Sequence, residues 1–207
     1  KTHTVEFAMG GYGTNNSMGT PWNPWDLHTH RAPGGSSAGS GVAVAAGLAP
    51  CAIGTDTGGS VRLPCAWNGL TGLKTTVGRV SCHGVLPLSS SLDTPGPMCH
   101  DAQDAAMLFS VLHGPDSHDP LTLRHGPVYP VETLRNDIAG LRVGTLDAPE
   151  REQVDTDVLD AYDTFLEQLK RLGARLVKVS LPLSSAQMGE LLGKIISVEG
   201  YSVVGHL

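Results

Sequence analysis

The sequence predicts an α/β protein, and three observations carry that prediction. Hydrophobic residues make up 40% of the chain and charged residues only 16%, a balance that suits a buried core and excludes a disordered chain. An apolar run at 141–146, a strongly periodic stretch at 155–172 and an alternating run at 175–181 spell strand, helix, strand. Such a unit closes as a parallel pair with a crossover helix. A further short apolar run, 51–54, follows a small-residue helical stretch and leads into a glycine-rich turn.

Taken in order, residues 1–33 are rich in Gly, Asn, Pro and Trp and read as extended chain and loops. Gly11 and Gly13 invite a dinucleotide-loop reading, but Asn16 stands where the third glycine belongs and no helical pattern follows. Trp22 and Trp25, set among prolines, read as packing anchors. His28 and His30 lack a partner pair at helical spacing and read as structural rather than metal-ligating. Residues 36–48 predict a buried helix whose serines cap its first turn, with Pro50 ending it. A short strand at 51–54 follows, then a helix at 60–67 that would place Ser60 at a helix N-terminus, where the dipole favours negative charge.

Residues 69–85 read as strand and turn. Lys74 follows Leu73 rather than glycine, so a phosphate loop is excluded there. Residues 101–113 form an amphipathic helix through Ala102, Ala105, Ala106, Phe109 and Leu112, with Asp101 as N-cap and Gly114-Pro115 as stop. Residues 116–136 read as loop. In the strand-helix-strand unit the apolar face runs through Val158, Leu159, Tyr162, Phe165, Leu166, Leu169 and Leu172, and Gly173 ends the helix. A last helical pattern, 184–204, is weakened by Gly189, Gly193 and Gly200.

The net charge of −6, with no compensating Lys/Arg cluster, argues against nucleic-acid binding. Cys51, Cys65, Cys82 and Cys99 show no Cys-x-x-Cys pair and read as reduced thiols of a cytoplasmic protein. Neither a signal peptide nor a membrane span is visible.

Two turns carry the chemistry. In Gly54-Thr55-Asp56-Thr57-Gly58-Gly59-Ser60-Val61-Arg62, consecutive glycines allow successive N–H groups to converge on one point beside a serine hydroxyl. Acyl transfer needs that arrangement, a nucleophile next to an oxyanion site. The other reading is a glycine-rich turn with an idle serine. Upstream, Pro33-Gly34-Gly35-Ser36-Ser37-Ala38-Gly39-Ser40-Gly41 forms a second glycine-serine turn, and Ser36 lies 24 residues ahead of Ser60. Asp56 and Arg62 flank the later turn with opposite charges, as substrate contacts or as an ion pair bracing it. A serine needs a base, yet the Gly-x-Ser-x-Gly elbow of Ser-His-Asp hydrolases is absent; His83, the nearest histidine downstream, reads as a turn residue.

These two turns, in this order and at this separation, resemble those of the amidase signature family. Further landmarks support the resemblance: Glu6-Phe7-Ala8-Met9-Gly10, Asn23-Pro24-Trp25-Asp26, Gly69-Leu70-Thr71-Gly72-Leu73-Lys74, Gly78-Arg79-Val80-Ser81 and Ser91-Leu92-Asp93-Thr94-Pro95-Gly96-Pro97. It is dense over residues 1–120 and thins beyond. Ala38 and Thr75 depart from the family's usual glycine and proline.

The resemblance implies an α/β fold with a mixed sheet and helices on both faces, here only part of it, in a single incomplete domain spanning 1–207 and truncated at both ends. It implies amide hydrolysis to an acid plus ammonia or an amine through an acyl-serine intermediate, without metal or organic cofactor. Ser60 would be the nucleophile and Ser36, after a cis peptide, the bridging serine to a lysine that lies upstream of this sequence. Lys1 matches a different lysine of the family. The N–H groups of Thr57, Gly58, Gly59 and Ser60 would bind the oxyanion, a carbonyl at Ala8 or Met9 would accept from the leaving amide, and Asp56 and Arg62 would support the turn. The expected partner is a small-molecule amide, with a homo-oligomer or the remainder of the chain possible. The alternative is a non-catalytic, truncated or degenerate fragment of such an enzyme.

Overall fold

A computed structural model describes residues 1–152 and 154–206. The chain divides into two compact units, one of Lys1–Leu134 with Ile195–Leu207 and one of Arg135–Lys194. The α/β class expected from the sequence is what the structure contains.

The first unit holds a three-stranded antiparallel sheet of β1 (Cys51–Asp56), β2 (Thr71–Gly72) and β3 (Thr94–Cys99), ordered β1-β3-β2. The central strand, β3, carries no strand signal in the sequence because Pro95 and Pro97 cannot donate to a ladder. Leu73 N–H donates to Pro97 O at 3.1 Å and Thr75 Oγ1 to Pro95 O at 2.9 Å. A strand residue's nitrogen and carbonyl share one side in an antiparallel pair, so both missing donors fall where β2 is only two residues long. Thr94, Gly96 and Met98 remain to pair with β1. All six residues of β3 are buried.

Helix α1 (Ala38–Ala45) is shorter than the predicted 36–48, and no side chain caps it. Ser37, at its N-cap, instead accepts Thr55 N–H at 3.2 Å and donates to Thr55 O at 3.3 Å, while Ser40 Oγ donates to Ile53 O at 3.0 Å. The serines expected to cap α1 fasten it to β1. A Cβ at Gly39 would lie 2.5 Å from both His3 N and His3 O, so only glycine lets the N-terminal segment lie against the helix there. Helix α2 (Arg62–Asn68) ends at Gly69, whose φ of 69° is left-handed. Val61, Cys65 and Met98 form the buried cluster between α2 and the sheet, with Leu70 packed against it.

Helix α3 (Ala102–Leu112) follows the sequence reading, Asp101 accepting Asp104 N–H at 2.8 Å as its cap. The predicted loop after it carries a 3-10 turn at Pro120–Arg124 and a one-turn helix, α4 (Pro130–Thr133).

The second unit pairs β4 (Arg142–Leu146) and β5 (Arg175–Val179) in parallel, Arg142 opposite Arg175 through Leu146 opposite Val179. Between them lie α5 (Ala148–Arg151) and α6 (Thr156–Arg171), the latter capped by Asp155 accepting from Asp157 N–H. The strand-helix-strand prediction is met. The apolar face of α6 is only partly covered: Leu166 is buried, whereas Val158, Phe165 and Leu172 are each more than half exposed. Helix α7 (Ser185–Val204) completes the chain, its residues from Ile195 onward belonging to the first unit. No helix among the described residues is long and apolar enough to cross a membrane.

Candidate active site

Backbone packing dictates the first turn. The Gly35–Ser36 peptide is cis, Gly34 sits at φ 74°, and Gly35 N–H donates to Gly11 O at 2.7 Å. A Cβ on Gly35 would fall 2.4 Å from Gly10 O and 2.7 Å from Gly13 N, both main-chain atoms. The 10–13 glycines, which fail as a nucleotide loop, are thus the surface on which this turn rests. Val5 N–H donates to Ser36 O at 3.0 Å, and Ser37 N–H donates to Ser60 O at 3.3 Å. That last bond joins the two glycine-serine turns directly.

The second turn is wound around Asp56, which is fully buried. Its Oδ1 accepts Gly59 N–H at 2.7 Å and Arg62 Nη2 at 3.0 Å. Its Oδ2 accepts Val61 N–H at 3.2 Å, Arg62 N–H at 3.4 Å and Arg62 Nε at 3.0 Å. Burial pushes the Asp56 carboxyl upward, but the bonds and charge of Arg62, with the Val61 and Gly59 amides, outweigh it and hold it below its ordinary value. The Arg62 side chain is half exposed. Because the carboxylate takes the Val61 and Arg62 amides, α2 starts at Arg62 with Val61 as its N-cap residue. Ser60 therefore precedes the helix rather than opening it, a correction to the sequence reading.

Gly59 N–H is likewise committed to Asp56. The N–H groups of Thr57, Gly58 and Ser60 have no protein acceptor among the described residues, and neither do the hydroxyls of Ser60 and Ser36 donate to or accept from protein. Each of the two joined turns therefore carries a serine whose hydroxyl is unengaged, and the Ser60 turn also carries unengaged amides. Thr57 Oγ1 donates to Asp93 Oδ1, and Asp93 Oδ2 accepts Leu88 N–H at 2.8 Å and Ser89 N–H at 3.0 Å. Asp93 is in this way a brace, tying residues 88–93 to the Ser60 turn.

A cavity of about 440 Å³ opens beside Ser36, walled by Val5, Phe7, Ala8, Thr55, Leu88 and Lys1 among others. Phe7 and Ala8 both occupy the left-handed region, at φ 52° and 56°. Met9 does not wall this cavity and is half exposed, its N–H donating to Glu6 O. His83 stacks on His118 with ring centroids 4.6 Å apart and walls a separate cavity of about 260 Å³. It makes no hydrogen bond to Ser60. Lys74 Nζ donates to Thr75 O at 2.8 Å.

Trp22 stacks on His30 at 4.6 Å and Trp25 Nε1 donates to Asn68 O at 2.8 Å, but both residues are exposed, Trp25 by 75%, so they make surface contacts rather than the packing anchors the sequence suggests. Among the described residues, no three His, Cys, Asp or Glu side chains gather as a metal site. The cysteines are free thiols; burial pushes Cys65 up to about 12 and Cys82 and Cys99 up to about 11.

The sequence reading missed Glu199. Its carboxylate on α7 accepts from Ser89 Oγ, Ser91 Oγ and Ser91 N–H. No local pattern marks a contact 110 residues apart.

A family model described as Amidase matches residues 1–206. The chain belongs to the amidase family. Among curated relatives, this amidase-family chain is 44% identical over 182 residues to 2-amino-5-chloromuconic acid deaminase of Comamonas testosteroni, covering 88% of the chain and 37% of the relative. It is 43% identical over 182 residues to a glutamyl-tRNA(Gln) amidotransferase subunit of Coxiella burnetii, with the same coverage. Among solved structures, the corresponding glutamyl-tRNA(Gln) amidotransferase subunit from Thermotoga maritima superposes with a TM-score of 0.91 at 33% identity, over 98% of the chain and 44% of that protein. The peptide amidase of Stenotrophomonas maltophilia superposes with a TM-score of 0.86 at 35% identity, over 99% of the chain and 43% of that enzyme. The chain thus spans about two-fifths of the length of the amidases and related proteins it matches.

Proposed function

We propose that the protein hydrolyses the amide bond of a small molecule, with Ser60 as nucleophile and Ser36 as the hydroxyl that relays its proton. The observation that carries this reading is the Ser37 N–H bond to Ser60 O, which sets the serine after the cis Gly35–Ser36 peptide beside a turn with unengaged amides. Attack by Ser60 Oγ on the amide carbonyl places negative charge on the carbonyl oxygen, and the N–H groups of Thr57, Gly58 and Ser60 are the donors for it. Removing one such donor lowers rates by about 10²–10³-fold in comparable sites. Gly59 acts differently, its N–H fastening the turn to Asp56 while Arg62 completes that clamp.

The proton from Ser60 passes to Ser36 and on to a neutral lysine, which the family resemblance assigns outside this sequence. A carbonyl of the Ala8 segment, which walls the cavity beside Ser36, accepts a hydrogen bond from the leaving nitrogen. The relayed proton returns through Ser36 to that nitrogen as the C–N bond breaks, and ammonia or an amine departs. Water then releases the acid from the acyl-serine. Both compact units form parts of one amidase domain, and the protein works in the cytoplasm without a metal or organic cofactor, on a substrate set partly by residues beyond this sequence.

The test is labelling of the full-length protein with a fluorophosphonate probe. Adduct on Ser60, lost in Ser60→Ala and slowed about 10²–10⁴-fold in Ser36→Ala, is the expected result. Labelling that survives Ser36→Ala but vanishes in His83→Ala would replace the relay with a histidine base. A folded protein that never reacts at Ser60 would favour a non-catalytic member of the family.

A further inference from the structure

The geometry points to Glu199, near the end of α7, as a positioning residue that fixes residues 88–91 and, through Asp93, the turn bearing Ser60. This rests on the reading of Ser60 as the nucleophile. Glu199 Oε2 accepts from Ser89 Oγ at 2.5 Å and from Ser91 N–H at 3.1 Å, and Oε1 accepts from Ser91 Oγ at 2.5 Å. Ser89 is fully buried, so its hydroxyl has no solvent alternative to that carboxylate. The next residue of the helix strengthens the contact: a Cβ on Gly200 would lie 3.2 Å from Leu88 Cδ1 and 3.4 Å from Leu88 O. Glycine here lets α7 approach the loop closely enough for Glu199 to reach both serines.

The loop held in this way is fastened on its other side to the Ser60 turn. Leu88 and Ser89 donate their amides to Asp93, and Asp93 accepts from Thr57 Oγ1, next to Gly58. Leu88 and Gly200 also wall the cavity beside Ser36. Charge-assisted bonds are the stronger kind, and the Ser89 and Ser91 bonds hold the Glu199 carboxyl below its ordinary value. Releasing Glu199 therefore frees residues 88–91 and loosens the turn that bears Ser60 and its amides, while removing no reacting group. A misplacement of about 1 Å in a catalytic group lowers rates by about 10²-fold.

The experiment measures the rate of Ser60 labelling by the fluorophosphonate in the full-length protein, together with hydrogen exchange at the amides of 88–91. Glu199→Ala is expected to slow labelling by about 10²-fold. Glu199→Gln, which keeps one acceptor oxygen, is expected to recover about tenfold of that loss. Removing both hydroxyls with Ser89→Ala and Ser91→Ala is expected to slow labelling as well, and adding Glu199→Ala on that background should change it less than about twofold, since the three side chains act as one unit.

Exchange at 88–91 should quicken in each variant. If Glu199→Ala does not fold, Glu199→Gln alone decides: wild-type labelling and wild-type exchange in it overturn the proposal. Full additivity of the two sets of substitutions, or unchanged labelling in a folded Glu199→Ala protein, also overturns it. A wild-type protein that does not label at Ser60 overturns the nucleophile assignment and this inference with it, whereas normal wild-type labelling with unaffected Glu199 variants overturns this inference alone.

Discussion

Replacing Asp56 with asparagine is the sharpest test of how the Ser60 turn is held. The carboxylate accepts from Gly59, Val61 and Arg62 amides and twice from the Arg62 guanidinium, with donors on both oxygens. In Asp56→Asn, whichever way the amide is turned, its NH₂ faces at least two of those donors. Hydrogen bonds to a charged group contribute about 1.5–3 kcal/mol each, and breaking a buried ion pair costs about 3–5 kcal/mol. Arg62 is half exposed and regains water, which places the loss near the lower end, at about 3 kcal/mol.

Acid should narrow the difference. Burial raises the Asp56 carboxyl, the Arg62 contacts and the amides lower it further, and the net folded value lies below 3.8. A group depressed on folding stabilises fully above its unfolded value and loses that contribution as pH falls through its folded value. Urea unfolding of wild type and Asp56→Asn, at neutral pH and at steps below 3.8, reads both effects. A neutral-pH difference under about 0.5 kcal/mol, or a gap that widens in acid, would refute the clamp.

Two further outcomes follow from packing. Gly35→Ala drives a methyl into Gly10 O and the Gly13 backbone, neither of which is a flexible side-chain end, so fluorophosphonate labelling at Ser60 should fall by about 10²-fold or more, measured against a folded control by circular dichroism. Cys65 and Cys99, buried with thiols pushed up to about 12 and about 11, should resist a disulfide-exchange reagent in the native protein at mildly alkaline pH and react once urea unfolds it, as counted by thiol titration.

The elements legible in the sequence are those with a local signal. Helix α6 announces itself through period and cap, β4 through its apolar run, and β5 through alternation after Gly173, whose φ of 91° stops the helix. Ser36 and Ser60 stand out because each follows two consecutive glycines, in turns 24 residues apart that resemble those of the family. Strand β3 escapes because two prolines erase strand propensity locally, and only the register shows their missing donors falling beside a two-residue strand.

The start of α2 differs from the sequence reading because Asp56 collects the Val61 and Arg62 amides, and it takes the Gly59 amide as well, none of which the local pattern reveals. Ser37 and Ser40 look like caps because that is their usual local partner; tertiary acceptors on β1 take them instead. Glu199 has no local signal at all, since its partners lie more than 100 residues away.

The most direct measurement is to mix the full-length protein with an amide substrate, quench during turnover, and locate the acyl group by peptide mass spectrometry. An acyl adduct on the peptide containing Ser60, missing in Ser60→Ala, is the predicted result. Amide hydrolysis that persists in Ser60→Ala, or an adduct on any other residue, would contradict it.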